Sequence, residues 1–151
     1  MTKAPLVVTA LFILTGCTTT ANLKATPLKE QSAAQIDSDR KRCAEWSKKT
    51  AARLAGFAAC LIAAGYETTP EVGSTSQTVR LTRASTAIEP TRVLLDVLDC
   101  DGQAQREAER DLGMISRWIK ENLVYWRTNI DKRRQVFVDC LRPRGYELGK
   151  T

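Results

Sequence analysis

Five cysteines, at positions 17, 43, 60, 100 and 140, constrain this 151-residue chain more than any other feature. The first closes an N-terminal segment, MTKAPLVVTALFILTGC, in which Lys3 precedes an almost wholly apolar run from Ala4 to Thr15. About a dozen apolar residues make the core of an export signal, whereas a span across a bilayer core of roughly 30 Å needs about 20. An exported chain matures where disulfides persist. The four cysteines beyond the signal therefore read as two bridges, with three connectivities open. Cys43, Cys60, Cys100 and Cys140 lack C-x-x-C spacing, so no metal site is expected.

The ending Leu14-Thr15-Gly16-Cys17 resembles the lipobox of bacterial lipoproteins. The resemblance implies that Cys17 is diacylated on sulfur, that the chain is cut before it, and that the new amine is acylated in turn. Several acyl chains give durable anchoring, since each buried CH₂ contributes about 0.8 kcal/mol and one chain alone is marginal. In that family an Asp directly after the cysteine favours inner-membrane retention. Thr18 stands here, which resembles the outer-membrane class. The implied location is the outer membrane, facing the periplasm.

Cleavage removes Lys3 and no acid, so 22 bases oppose 17 acids in the mature chain. From Thr18 to Ile36 the chain is rich in Thr, Ala and Lys, with few large apolar side chains to offset ordering entropy. The expected organisation is a signal peptide at 1–16, a lipidated flexible tether at 17–36 and a helical domain at 37–151.

Behind the cap residues Asp37 and Ser38, the positions Cys43, Trp46, Thr50, Leu54, Phe57, Leu61 and Ala64 recur in steps of three and four. They predict one helix A over about 38–64. Its second half adds Ala51, Ala52, Ala55, Ala59 and Ala63 on the other side, so it should be covered all round. Gly65-Tyr66 closes it in the manner of a Schellman cap, Tyr66 packing back on Leu61. Residues 67–77 are loop by composition, and 78–89 are ambiguous, with Thr78-Val79-Arg80-Leu81 able to be a short strand or the approach to a helix. Pro90 suits the first position of helix B, which carries Leu94, Leu95, Val97 and Leu98. In helix C, Leu112, Ile115, Ile119, Leu123, Trp126, Ile130, Phe137 and Leu141 hold one face, with Arg133 within the stripe. Arg133 reads as a rim residue or as half of a buried pair with an acid such as Glu45. These stripes argue for an all-α fold, a small disulfide-stapled bundle of two long helices and one shorter.

An internal echo runs through the chain. Cys60 to Glu67 and Cys140 to Glu147 share Cys-Leu-x-x-x-Gly-Tyr-Glu. Read from sequence, the two matches are convergence on one capping solution and not a duplicated domain.

Spacing trims the disulfide connectivities. Cys43 and Cys60 lie on one predicted helix and would stand about 25 Å apart, which forbids a bond unless that helix breaks at Gly56. Cys100 and Cys140 must then both reach helix A. This requires a chain reversal, at Gly102 or at Gly113. Geometry leaves two assignments open. Small bacterial envelope lipoproteins resemble this chain in an early helical Cys and a terminal Cys-[Leu/Met]-x-x-x-Gly-Tyr, here Cys140-Leu141 to Gly145-Tyr146. That resemblance implies Cys43 with Cys140 and Cys60 with Cys100.

The absence of His removes Ser-His and Cys-His nucleophiles, His-ligated metal and a histidine switch. Cys100 lies between Asp99 and Asp101, which would raise a thiol's pKa, so it reads as a disulfide half and not a nucleophile. No phosphate loop or G-x-S-x-G elbow occurs. The expectation is no catalysis and no cofactor. The bases Arg40, Lys41 and Arg42 with Lys132, Arg133, Arg134, Arg142 and Arg144 would meet at one end if Cys43 bonded Cys140. They would then form a candidate basic patch for anionic headgroups or an envelope protein partner. Nucleic acid is not expected for an exported chain. The functional expectation is a structural or binding lipoprotein. Alternatives are a pilotin-like chaperone with an apolar groove beside Leu54 to Leu61, and a cell-wall hydrolase or inhibitor.

Overall fold

The stretch read as helix A is two helices, because side chains at residues 47–50 offer the backbone other partners. The computed structural model describes residues 23–72, 79–83, 88–110 and 123–149. In it α1 spans Ala33–Ser47 and α2 spans Arg53–Ala63. The Ser47 hydroxyl donates to the Ala44 carbonyl at 2.9 Å, and the Thr50 hydroxyl to the Ser47 carbonyl at 2.8 Å. Short hydroxyl side chains compete with the helical ladder in this way. At the same place the backbone tightens, Lys49 N–H bonding the Trp46 carbonyl and Thr50 N–H the Ser47 carbonyl. Gly56 is no break. It lies inside α2, where a Cβ would stand 2.4 Å from Thr50 Oγ1, so the missing side chain admits the turn against the helix.

The reversal between α1 and α2 brings Cys43 and Cys60 to a Cα separation of 5.4 Å, and they are bonded to each other. Cys100 bonds Cys140, with Cα atoms 5.6 Å apart. The nested pairing is thus incorrect. It presumed a helix unbroken between Cys43 and Cys60, and the break at 48–52 removes that premise.

α3 spans Pro90–Arg110 and opens on Pro90 as expected. It runs through Gly102, so the chain does not reverse there. α4, Leu123–Leu141, returns antiparallel to it: Cys140 meets Cys100, and Arg144 beyond the helix end reaches back to Asp96. Gly113 and the upper stripe residues Leu112, Ile115 and Ile119 lie outside the described residues.

Helices dominate, but the fold is not purely α. β1 (Ala25–Pro27), β2 (Tyr66–Thr68), β3 (Leu81–Arg83) and β4 (Tyr146–Leu148) form an antiparallel sheet in the order β1-β2-β3-β4. Thr26 faces Glu67 across one outer pair, and Thr82 faces Glu147 across the other. β1 lies within the segment read as tether. Within that segment Leu23 and Ala25 pack on a buried cluster of Cys43, Phe57, Cys60, Leu61 and Tyr66. The cap of α1 is Ser32, whose hydroxyl accepts from the Gln35 N–H at 3.2 Å, and not Asp37 or Ser38.

Read in order, the elements are β-α-α-β twice. β1-α1-α2-β2 and β3-α3-α4-β4 each join two helices by a disulfide and pair their own two strands. The sequence echo marks equivalent places in both. Each time a disulfide cysteine and a buried leucine end the second helix, a glycine takes a left-handed φ (89° at Gly65, 86° at Gly145), and a buried tyrosine opens a strand. Only glycine adopts that backbone without strain. The echo is therefore more than a shared cap. The halves join at β2–β3, where Thr68 faces Leu81, and in a larger core that draws Ala55, Ala59 and Ile62 of α2 against Val93, Val97, Phe137 and Leu141.

Candidate functional site

Cys17 lies outside the described residues, which begin at Leu23. The bases named from the sequence fall into two groups in different halves. Arg40 donates to the Leu23 carbonyl at 3.0 Å and stands 5.9 Å over the Phe57 ring. Lys41 pairs with Asp37 at 2.7 Å and Arg42 with Asp39 at 2.9 Å. In the second half Lys132 and Arg134 are exposed on α4, and Arg142 pairs with Asp139 at 3.2 Å. Arg144 is clamped between Asp96 and Asp99. The bond that would have joined the groups, Cys43 to Cys140, does not exist. Arg133 feels Asp101 of α3 and not Glu45, which pairs with Lys48.

Two equivalent polar nodes organise the halves. In the first, buried Asp39 receives Arg42 and the Gln35 amide on Oδ1, and Oδ2 lies 3.1 Å from the Tyr66 hydroxyl. In the second, buried Asp96 takes Arg144 at 3.1 Å and Arg92 at 3.3 Å on Oδ1, and the Tyr146 hydroxyl at 3.0 Å on Oδ2. Each aspartate precedes its disulfide cysteine by one helical turn, Asp39 before Cys43 and Asp96 before Cys100. The node thus ties the first helix to the strand that follows the second. Burial, and then the neighbouring carboxylate, push each phenol up to about 12. Both stay protonated at neutral pH and act as donors, not as bases. Sequence reasoning missed these nodes. The signal was present, because the Asp-x-x-x-Cys spacing occurs at 39–43 and again at 96–100, upstream of each echo.

Other groups are perturbed at the surface of the second half. The Arg144 hydrogen bond holds the Asp99 carboxyl below its usual range. Burial raises that of Asp101, partly offset by the Arg133 charge.

An open cleft of about 390 Å³ lies between the halves, lined by Arg42 and Trp46 of α1, Ala63 at the end of α2, and Ile88 and Pro90 at the start of α3. It is mostly apolar with one cation at its edge, and Cys60 forms part of its wall. Of the apolar second half of helix A, Cys60, Ala63 and Ala64 reach this cleft. Residues Ala55 to Ala63 are all buried in the cores, and Leu54 alone in that stretch is strongly exposed. Among the described residues, no group of three or more Cys, Asp or Glu could hold a metal ion. No described helix is long and apolar enough to cross a membrane. No protein-family model, curated protein or solved structure matches this chain.

Proposed function

We propose that this protein is an outer-membrane lipoprotein, anchored through Cys17, with a structural or binding role on the periplasmic side of the bacterial envelope. The observation that carries the reading is the short apolar segment closed by Leu14-Thr15-Gly16-Cys17. Two disulfides support it, since such bonds persist in oxidising compartments and are rare in the cytosol. A binding role fits a body whose buried Asp39, Asp96, Tyr66 and Tyr146 are committed to tying helices to strands. The test is fractionation of cells producing the wild type and Cys17→Ala. After a high-salt wash the wild type should remain with membranes, and the variant should be released. Membrane association of the variant that survives the same wash would overturn the anchor.

A further inference from the structure

The structure limits how far the folded body can stand from a lipid on Cys17. Leu23 is held in place: its carbonyl accepts from Arg40, and its side chain packs on the Phe57 and Tyr66 cluster. The next carbonyl, of Lys24, accepts from the Thr68 hydroxyl at 2.9 Å. From residue 17 to residue 23 the chain reaches at most about 22 Å, at about 3.6 Å per residue, whatever path it takes. An anchored molecule cannot turn the Leu23 end of its body away from the bilayer.

Chain direction shows what else occupies that end. Gly65 reverses the chain, so β2 runs back along α2, and β1 is antiparallel to β2. The start of β1, the end of β2 and the α1–α2 turn therefore share one end of the first half. There Lys24, Lys48, Lys49 and Arg53 are exposed, together with Leu54 at 44%. The acids nearby are Glu45, in an exposed pair with Lys48, and Glu71, which accepts from the Thr69 hydroxyl. Bases therefore outnumber acids, and a large apolar side chain stands among them.

We propose that this end docks on the anionic phospholipid headgroups of the bilayer that holds the anchor, with Lys24, Lys49 and Arg53 toward the phosphates and Leu54 at the acyl boundary. The inference rests on the lipoprotein reading and specifies the surface that reading left open. A base near an anionic surface contributes enough to change affinity about fivefold, and the effect fades with salt.

The test uses the full mature chain carrying Cys17→Ser, so that no lipid assists binding. It is sedimented with vesicles of phosphatidylethanolamine containing phosphatidylglycerol, and with phosphatidylcholine alone. Binding should require phosphatidylglycerol. Lys49→Glu with Arg53→Glu should weaken it by about 25-fold or more. Lys29→Glu with Arg142→Glu, equal in charge but at the other end of the body, should leave affinity within about twofold, since added charges beyond a Debye length of about 10 Å are screened. Equal losses in the two variants, or no dependence on phosphatidylglycerol, would overturn the proposal. The mass of the wild-type N-terminal peptide separately reads whether Cys17 is acylated. A failed vesicle result with acylated Cys17 removes the docking end alone, and an unacylated Cys17 removes the anchor beneath it.

Discussion

Tyr66 and Tyr146 illustrate what single residues decide in this fold. Each phenol is buried at the start of a strand and lies within hydrogen-bond distance of an aspartate on the first helix of the same half, the Tyr66 hydroxyl also standing 2.6 Å from the Gln31 side-chain carbonyl oxygen. Tyr146→Phe strips Asp96 of one donor while Arg92 and Arg144 remain, and should cost about 1–2 kcal/mol in urea unfolding. Asp96→Ala should cost more, because it leaves half-buried Arg144 with only Asp99 and buried Tyr146 without an acceptor. The phenols also set the alkaline limit. Their folded pKa values, about 12, lie above the ordinary 10. The stability they contribute is therefore fully present below about pH 10 and is lost as pH rises toward about 12. Ultraviolet absorbance of phenolate should show two of the three tyrosines, Tyr66 and Tyr146, ionising late in the folded protein and near pH 10 in denaturant. Ionisation of all three near pH 10 without unfolding would remove the burial account. Asp101 works in the opposite sense at acid pH. Burial raises its carboxyl, so its ionisation costs stability as pH climbs through and above the ordinary carboxylate range, and Asp101→Asn should flatten that slope.

Among the elements, the two helical hairpins are held by bonds that close loops of different length. Removing Cys100 and Cys140 together, with a separation of 40, should cost about 4 kcal/mol, and removing Cys43 and Cys60, with a separation of 17, about 3 kcal/mol. The α1–α2 turn makes a sharper prediction. Ala is favoured over Gly in a helix by about 1 kcal/mol, yet Gly56→Ala should destabilise by about 1–3 kcal/mol, because its Cβ would fall on the Thr50 side chain. Thr50→Ala should recover part of that loss, and thermal melts of the two single variants and the double would show it. A stabilising Gly56→Ala would refute the close approach. The same turn shows where sequence reasoning stopped. The Pro90 start and the Gly65-Tyr66 stop are local signals, and both are found, whereas the helix A stripe spans two helices and the upper helix C stripe lies outside the described residues. The break at 48–52 was not legible, because Thr50 sits in phase with the apolar stripe and its bond to the Ser47 carbonyl is invisible to periodicity. Strands of three residues are too short to show alternation, and each gains its partner from a distant part of the chain, Ala25 from Thr68 and Leu81 from Leu148.

At the scale of the molecule, the question is whether two β-α-α-β halves behave as one body. The eight-residue echo was visible in the sequence, but its meaning depended on strands and disulfide partners that the sequence did not display. Once those are placed, equivalent residues carry equivalent duties: Asp39 and Asp96, Cys43 and Cys100, Tyr66 and Tyr146. The halves are not equal in burial, however. The first has a small cluster of its own, around Phe57, Leu61 and Tyr66, whereas α2 gives Ala55, Ala59, Ile62 and Ala63 to the core of the second. α2 is thus shared property: it is bonded to α1 by Cys43–Cys60 and buried against α3. Loosening the first half must strip cover from Val93 and Val97, and loosening the second must expose α2. We therefore expect one cooperative transition. Far-ultraviolet circular dichroism and tryptophan fluorescence should share a midpoint in urea, and removal of either disulfide should shift that single midpoint without splitting it. Two resolved transitions in the Cys43→Ala/Cys60→Ala protein would mean that the second half stands without the first, and that the shared helix contributes far less than its burial implies.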